Sequence, residues 1–183
     1  MSLSSTDHKG FSRRSFLNGL AVGAFGGLVG GNVALTLDST GMTGSASLAD
    51  PLGLGAVQVS GNISPSGQFY WMMGDALPLT FAGSSTTAMV SLTLVGTGSG
   101  VSLTAMIMAG VDTYISGEGN VMGSVDVTLA LTASGGVLQA SGSGSVSLTL
   151  DGVGTTSVGY TAQQNGLLLA LPSPYTSEVL AWS

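Results

Sequence analysis

Six times the chain repeats one five-residue pattern, apolar-x-apolar-Thr-apolar, and a pattern of period two commits a chain to strands. The copies are Val33–Leu37, Leu77–Phe81, Val90–Leu94, Val101–Ala105, Val125–Leu129 and Val146–Leu150. In each, the aliphatic positions share one face and Thr falls on the other. Such alternation predicts half-buried antiparallel strands with the aliphatics inward. The copies are irregularly spaced, so they are a recurring strand type and not a solenoid repeat.

Turn chemistry falls between these runs. Thr97-Gly98-Ser99-Gly100, Ser134-Gly135-Gly136, Asp151-Gly152 and Asn165-Gly166 supply residues tolerant of positive φ where hairpins need them. Pro51, Pro65, Pro172 and Pro174 sit in loop-like contexts, whereas Pro78 lies inside a strand copy and marks an edge or a strand start. With 44% hydrophobic and only 7% charged residues the chain is too apolar for acidic disorder, and Val, Leu, Thr, Ser and Gly dominate over helix formers. The predicted fold is all-β: an antiparallel β-sandwich or barrel of about ten to twelve strands behind an N-terminal signal helix. Residues 32–183 form a single domain on this reading. Residues 38–53 are the least periodic, and read as a loop or as the tail of a leader.

All three cationic residues, Lys9, Arg13 and Arg14, lie at the N-terminus, and from Ser15 to Ser183 there is no Lys, Arg, His or Cys. The segment Ser12-Arg13-Arg14-Ser15-Phe16-Leu17 resembles the twin-arginine (Tat) signal motif through Arg13, Arg14, Phe16 and Leu17, with Asn18 where that motif often has Lys. Behind it, residues 17–31 form a weakly apolar, glycine-diluted run, shorter than the roughly 20 residues of a membrane span. The resemblance implies that the Tat export machinery is a partner and that the folded protein is delivered to the cell surface, the extracellular space or the periplasm. Residues 1–31 would be the signal peptide, ending at Val29-Gly30-Gly31, with cleavage as late as Ser47-Leu48-Ala49 the other reading. Left uncut, residues 17–37 would be an anchor.

Once residues 1–31 are removed, the body keeps eight of the nine acidic residues and no cation. Binding nucleic acid or anionic headgroups needs cationic groups, so both are excluded as partners. Without His, Lys or Cys there is no base for a serine nucleophile and no thiol, and the expectation is a non-enzymatic protein with no cofactor. Asp112 and Glu118, in Val111–Asn120, are close enough along a strand and turn to share a site, either for glycoside chemistry or for Ca²⁺, although acids at a glycine-rich turn are ordinarily solvated. Asp126 replaces Ser in a strand copy and reads as exposed. Met106 and Met108 share a face with Ser102 and Thr104, and read as gap-filling in an apolar layer or as thioether ligands for copper. Asn62-Ile63-Ser64 fits a glycan acceptor.

The densest aromatic stretch contains Phe69, Tyr70, Trp71 and Met72, read either as a core strand or as a patch facing a ligand or a subunit. Soluble β-proteins guard their sheet edges with Lys, inward charges or Pro, and this body has no lysine to spend there. The expectation is an exported structural subunit that assembles with other copies of itself into a filament, matrix or surface layer. A donor strand carrying Val33, Leu35 and Leu37 would pair in trans, as in β-strand addition. The alternative is a secreted binding module. It would hold an apolar ligand in a barrel cavity lined by Met and Trp, or bind glycan or ice on a Ser/Thr face.

Overall fold

A computed structural model of the chain describes residues 33–38, 41–48, 51–97, 100–134 and 137–182. Residues 1–32, with Arg13, Arg14, Phe16 and Leu17 and the expected signal helix, lie outside the described residues.

Each period-two run falls in a strand, and most consecutive strands are joined by short turns, with longer links between β2 and β3 and between β11 and β12. In chain order the strands are β1 (Val33–Asp38), β2 (Gly41–Leu48), β3 (Val57–Ile63), β4 (Phe69–Phe81), β5 (Ser84–Thr97), β6 (Gly100–Ile115), β7 (Gly119–Ser134), β8 (Val137–Ser141), β9 (Ser143–Leu150), β10 (Gly154–Gln163), β11 (Gly166–Ala170) and β12 (Glu178–Trp182). All described pairings are antiparallel, so the fold is all-β and falls within the expected strand number. No helix among the described residues is long and apolar enough to cross a membrane.

The strand order is β1-β2-β3-β4-β12-β11-β10-β9-β7-β6-β5, and β5 pairs again with β4. Eight strands, β4 to β7 and β9 to β12, therefore close into a ring. One side is the meander of long strands β4–β7; the other is the shorter meander β9–β12. The two sides meet at two narrow seams, Leu79↔Trp182 to Phe81↔Leu180, and Val121↔Leu150 to Gly123↔Leu148. Closure pairs the two meanders at these seams and leaves part of β4 with β5 as its one described strand partner.

Inside the ring the alternation is kept. Leu77, Leu79 and Phe81 of β4, Leu92 and Leu94 of β5, Leu103 and Ile107 of β6, Val125 and Leu129 of β7, and Leu148 and Leu150 of β9 are all buried in one cluster. The threonines of the same copies, Thr80, Thr93, Thr104, Thr128 and Thr149, keep solvent contact. Val101 alone departs from the pattern, being only partly buried. The hairpin between β4 and β5 turns through Ala82 (φ 46) and Gly83 (φ 82), a two-residue turn whose twist suits the flanking strands. Between β10 and β11 the turn residues are Gln164 and Asn165, so Gly166 opens β11 instead of occupying the turn. It is required by proximity, because a Cβ there would lie 2.5 Å from the Leu180 carbonyl oxygen.

Outside the ring, β1, β2 and β3 form a small sheet joined to β4 by the single pair Ile63↔Phe69. This corrects the reading of residues 38–53 as a loop. Gly41–Leu48 is a strand whose alternate positions Met42, Ala46 and Leu48 are buried. The alternation is hard to see in the sequence because its inward positions include Gly44 and Ala46. Gly44 is small for a reason: Trp71 projects from β4 against the cross-strand pair Gly44↔Gly61, and a Cβ on either glycine would come within 2.6–2.7 Å of the indole. The indole nitrogen donates to the Asn62 carbonyl at 3.2 Å. Phe69 stacks beside it, with ring centroids 4.5 Å apart.

Candidate assembly site

Candidate positions fall into three places: the outer end of the small sheet, the outer face of the long meander, and a polar corner at one end of the ring.

The outer end is β1. It pairs with β2 from Val33↔Ala46 to Asp38↔Gly41, and among the described residues it is the last strand of the path. Val33, Leu35 and Leu37 thus belong to a strand that is already paired within its own chain. Its sequence, Val-Ala-Leu-Thr-Leu-Asp, has no Pro, no Gly and no cation, and Asp38 is its one charge. Strand β4 offers a contrast. From Met72 to Pro78 its described strand partner is β5 alone, because the β3 pairing stops at Phe69 and the β12 pairing starts at Leu79. Here two guards stand. Asp75 occupies an inward-parity position between Met73 and Leu77 yet is exposed, and Pro78, as its place in the sequence suggested, sits where the β12 pairing ends. An inward charge and a proline are recognised edge protections, and β1 has neither.

On the outer face of β4–β7 the aromatic stretch divides by parity. Phe69 and Trp71 are buried, while Tyr70 and Met72 are exposed. Met106 and Met108 are exposed as well, which corrects the expectation that they fill gaps in an apolar layer: they stand on the outward parity of β6. Met89 is also outward, directly opposite Met108. Of the methionines and tryptophans expected to line a barrel cavity, Met42 and Trp182 are buried in the core cluster. Trp71 is packed on glycine and Met106 and Met108 face out. Asp126 is exposed, as expected, opposite Met108.

The polar corner brings together the β6–β7 turn, the β9–β10 turn and the segment around Tyr175. Glu118 accepts from the Thr176 backbone N–H at 3.0 Å and from its hydroxyl at 2.9 Å. Asp151 accepts from the Asn120 backbone N–H at 3.0 Å and from its side-chain amide at 2.9 Å. The buried Tyr175 hydroxyl lies 3.2 Å from the Asn120 carbonyl and 3.1 Å from that of Asp151, and donates its proton between them. Burial, followed by the charge of Asp151, raises the Tyr175 pKa above its ordinary value. This corner ties loops together. Asp112 is elsewhere: it stands opposite Met122, beside a surface cleft where β5 and β6 splay and Thr86 bridges to the Gly110 carbonyl. Asp112 and Glu118 therefore do not build the shared site that their spacing suggested. Among the described residues no three of His, Cys, Asp and Glu gather. Asn62 of the glycan sequon is exposed on β3.

No known protein family, curated protein or solved structure matches this chain.

Proposed function

We propose that the protein is an exported, non-enzymatic structural subunit that associates with other copies of itself through the β1 edge. The observation that carries this reading is the contrast between two edges. The open stretch of β4 is guarded by Asp75 and Pro78, while β1, the last strand of the path among the described residues, carries no proline and no lysine and has Asp38, at its end, as its one charge. Unpaired N–H and C=O groups along such a strand are a template for a second strand. Two β1 strands meeting antiparallel about a two-fold axis continue the sheet from one copy into the next, an isologous contact. In this form β1 remains paired with β2, and the donor strand is added at an edge without being withdrawn from its own sheet.

Export through the twin-arginine route fits the same account, since a chain that folds before export arrives with its closed ring formed and only the small sheet left to join. The core argues for a mature N-terminus upstream of Val33. Cleavage after Ala49 would remove Met42, Ala46 and Leu48 and uncover Trp71.

The experiment is a concentration series of the mature protein, residues 32–183, by size-exclusion chromatography with light scattering and by negative-stain microscopy. A dimer whose share grows with concentration is expected, because an isologous contact closes at two copies. A monomer at every concentration, with clean grids, would defeat the reading.

A further inference from the structure

The outer face of β4–β7 is made mostly of Ser, Thr, Ala and Gly, and against that background its methionines stand out. Five of the eight methionines in the chain, Met72, Met89, Met106, Met108 and Met122, are exposed on it. Three of the five are neighbours. Met89 on β5 is paired with Met108 on β6, and Met106, two residues back on the same face of β6, is paired with Ser91. Directly opposed residues on one face have Cβ atoms about 5 Å apart, and diagonal ones about 7–8 Å, within reach of long side chains. Methionine is unbranched with three rotatable bonds, so its sulfur can be brought to a common point without moving the backbone. Asp126 on β7 is opposite Met108 and puts a carboxylate beside the group.

We propose that Met89, Met106 and Met108 form a surface site for one soft monovalent cation, Cu(I), held by three thioether sulfurs with Asp126 supplying negative charge nearby. Thioethers are soft, polarisable ligands that select Cu(I) over the harder divalent ions. No thiolate or imidazole in residues 32–183 competes for it, because the sequence has no Cys and its one His is His8. The three side chains, at 58%, 38% and 45% exposure, are open to an ion arriving from solution. An apolar role for them would be served by burial, which the inward positions Val90, Ala105 and Ile107 of the same two strands already have. The site is independent of the β1 edge.

The test uses the mature protein labelled with ¹³C at its methionine methyl groups, titrated with Ag(I) as a redox-inert stand-in and then with Cu(I) under reducing, anaerobic conditions. Native mass spectrometry is expected to show a complex with one ion. The methyl resonances of Met89, Met106 and Met108 are expected to shift together, with those of Met72 and Met122 unmoved. The variant Met89→Leu/Met106→Leu/Met108→Leu should lose the complex, and Met72→Leu/Met122→Leu should keep it. Absence of binding would overturn the proposal. So would survival of binding in the triple variant, or shifts centred on Met72 or Met122. Should the triple variant fail to fold, the methyl shifts of the parent protein decide.

Discussion

Trp71 occupies the space that a side chain on Gly61 would need. A Cβ built on Gly61 would lie 2.7 Å from Cδ1 of the indole, and Trp71 itself is only 1% exposed. The small sheet β1–β3 is held over the ring by this contact, and both partners of the Gly44↔Gly61 pair contribute to it. Gly61→Ala should therefore destabilise the fold by about 1–3 kcal/mol through overpacking. Trp71→Ala should cost about 3–5 kcal/mol through cavity formation. Denaturant unfolding measures both. In the double variant the two costs should fall well short of their sum, since the alanine methyl then enters space the ring has left.

Removal of β1 and β2 tests the same packing from the other side. A chain starting at Asp50 lacks the buried Met42, Ala46 and Leu48 and leaves one face of Trp71 uncovered. It should be less stable than the chain starting at residue 32, bind a hydrophobic dye, and show red-shifted Trp fluorescence. N-terminal sequencing of the exported protein should place its start before Val33.

High pH should loosen the polar corner. The folded state raises the Tyr175 pKa by burying the hydroxyl and by the charge of Asp151, and so favours the neutral phenol. A raised folded pKa means that this contribution to stability is complete below the ordinary tyrosine value near 10 and is lost as pH rises above it. Thermal midpoints measured across that window should fall more steeply for the parent than for Tyr175→Phe. At neutral pH the same variant should be less stable than the parent, because it loses the hydroxyl bond to the Asn120 and Asp151 carbonyls.

Asp75 and Pro78 should matter for solubility more than for stability. Asp75 is exposed and hydrogen-bonds only to the adjacent Ala76 N–H, so Asp75→Val with Pro78→Thr leaves the core intact and unguards the open stretch of β4. Light scattering at constant protein concentration should rise faster for the double variant. An unchanged rate would mean that this stretch is not an edge in solution.

What the sequence made legible was the part of the fold decided by local alternation. Leu77 to Phe81, Val90 to Leu94 and Val146 to Leu150 are strands by their own pattern, and each buries its aliphatic face. Strand β2 was hidden because its inward Gly44 answers to Trp71, a distant residue, and with Ala46 carries little hydrophobic signal of its own. The two narrow seams that close the ring were hidden as well. A strand pattern says which face is inward but not which strand lies alongside. Of the candidate positions, Tyr70 and Met72 could be separated from Phe69 and Trp71 by parity alone. The neighbourhood of Met89 with Met108, and of Glu118 with Thr176, required the register and the loop path.

The most direct test of the account is sedimentation velocity on the mature protein beside Ala34→Lys/Thr36→Lys, which places on β1 the charge that natural edges carry. Ala34 is exposed, so a lysine there is accommodated. The parent should sediment as a monomer–dimer equilibrium that shifts to dimer with concentration, and the lysine variant as a folded monomer with an unchanged circular dichroism spectrum. A parent that remains monomeric, or a variant that associates as strongly as the parent, would contradict assembly through β1.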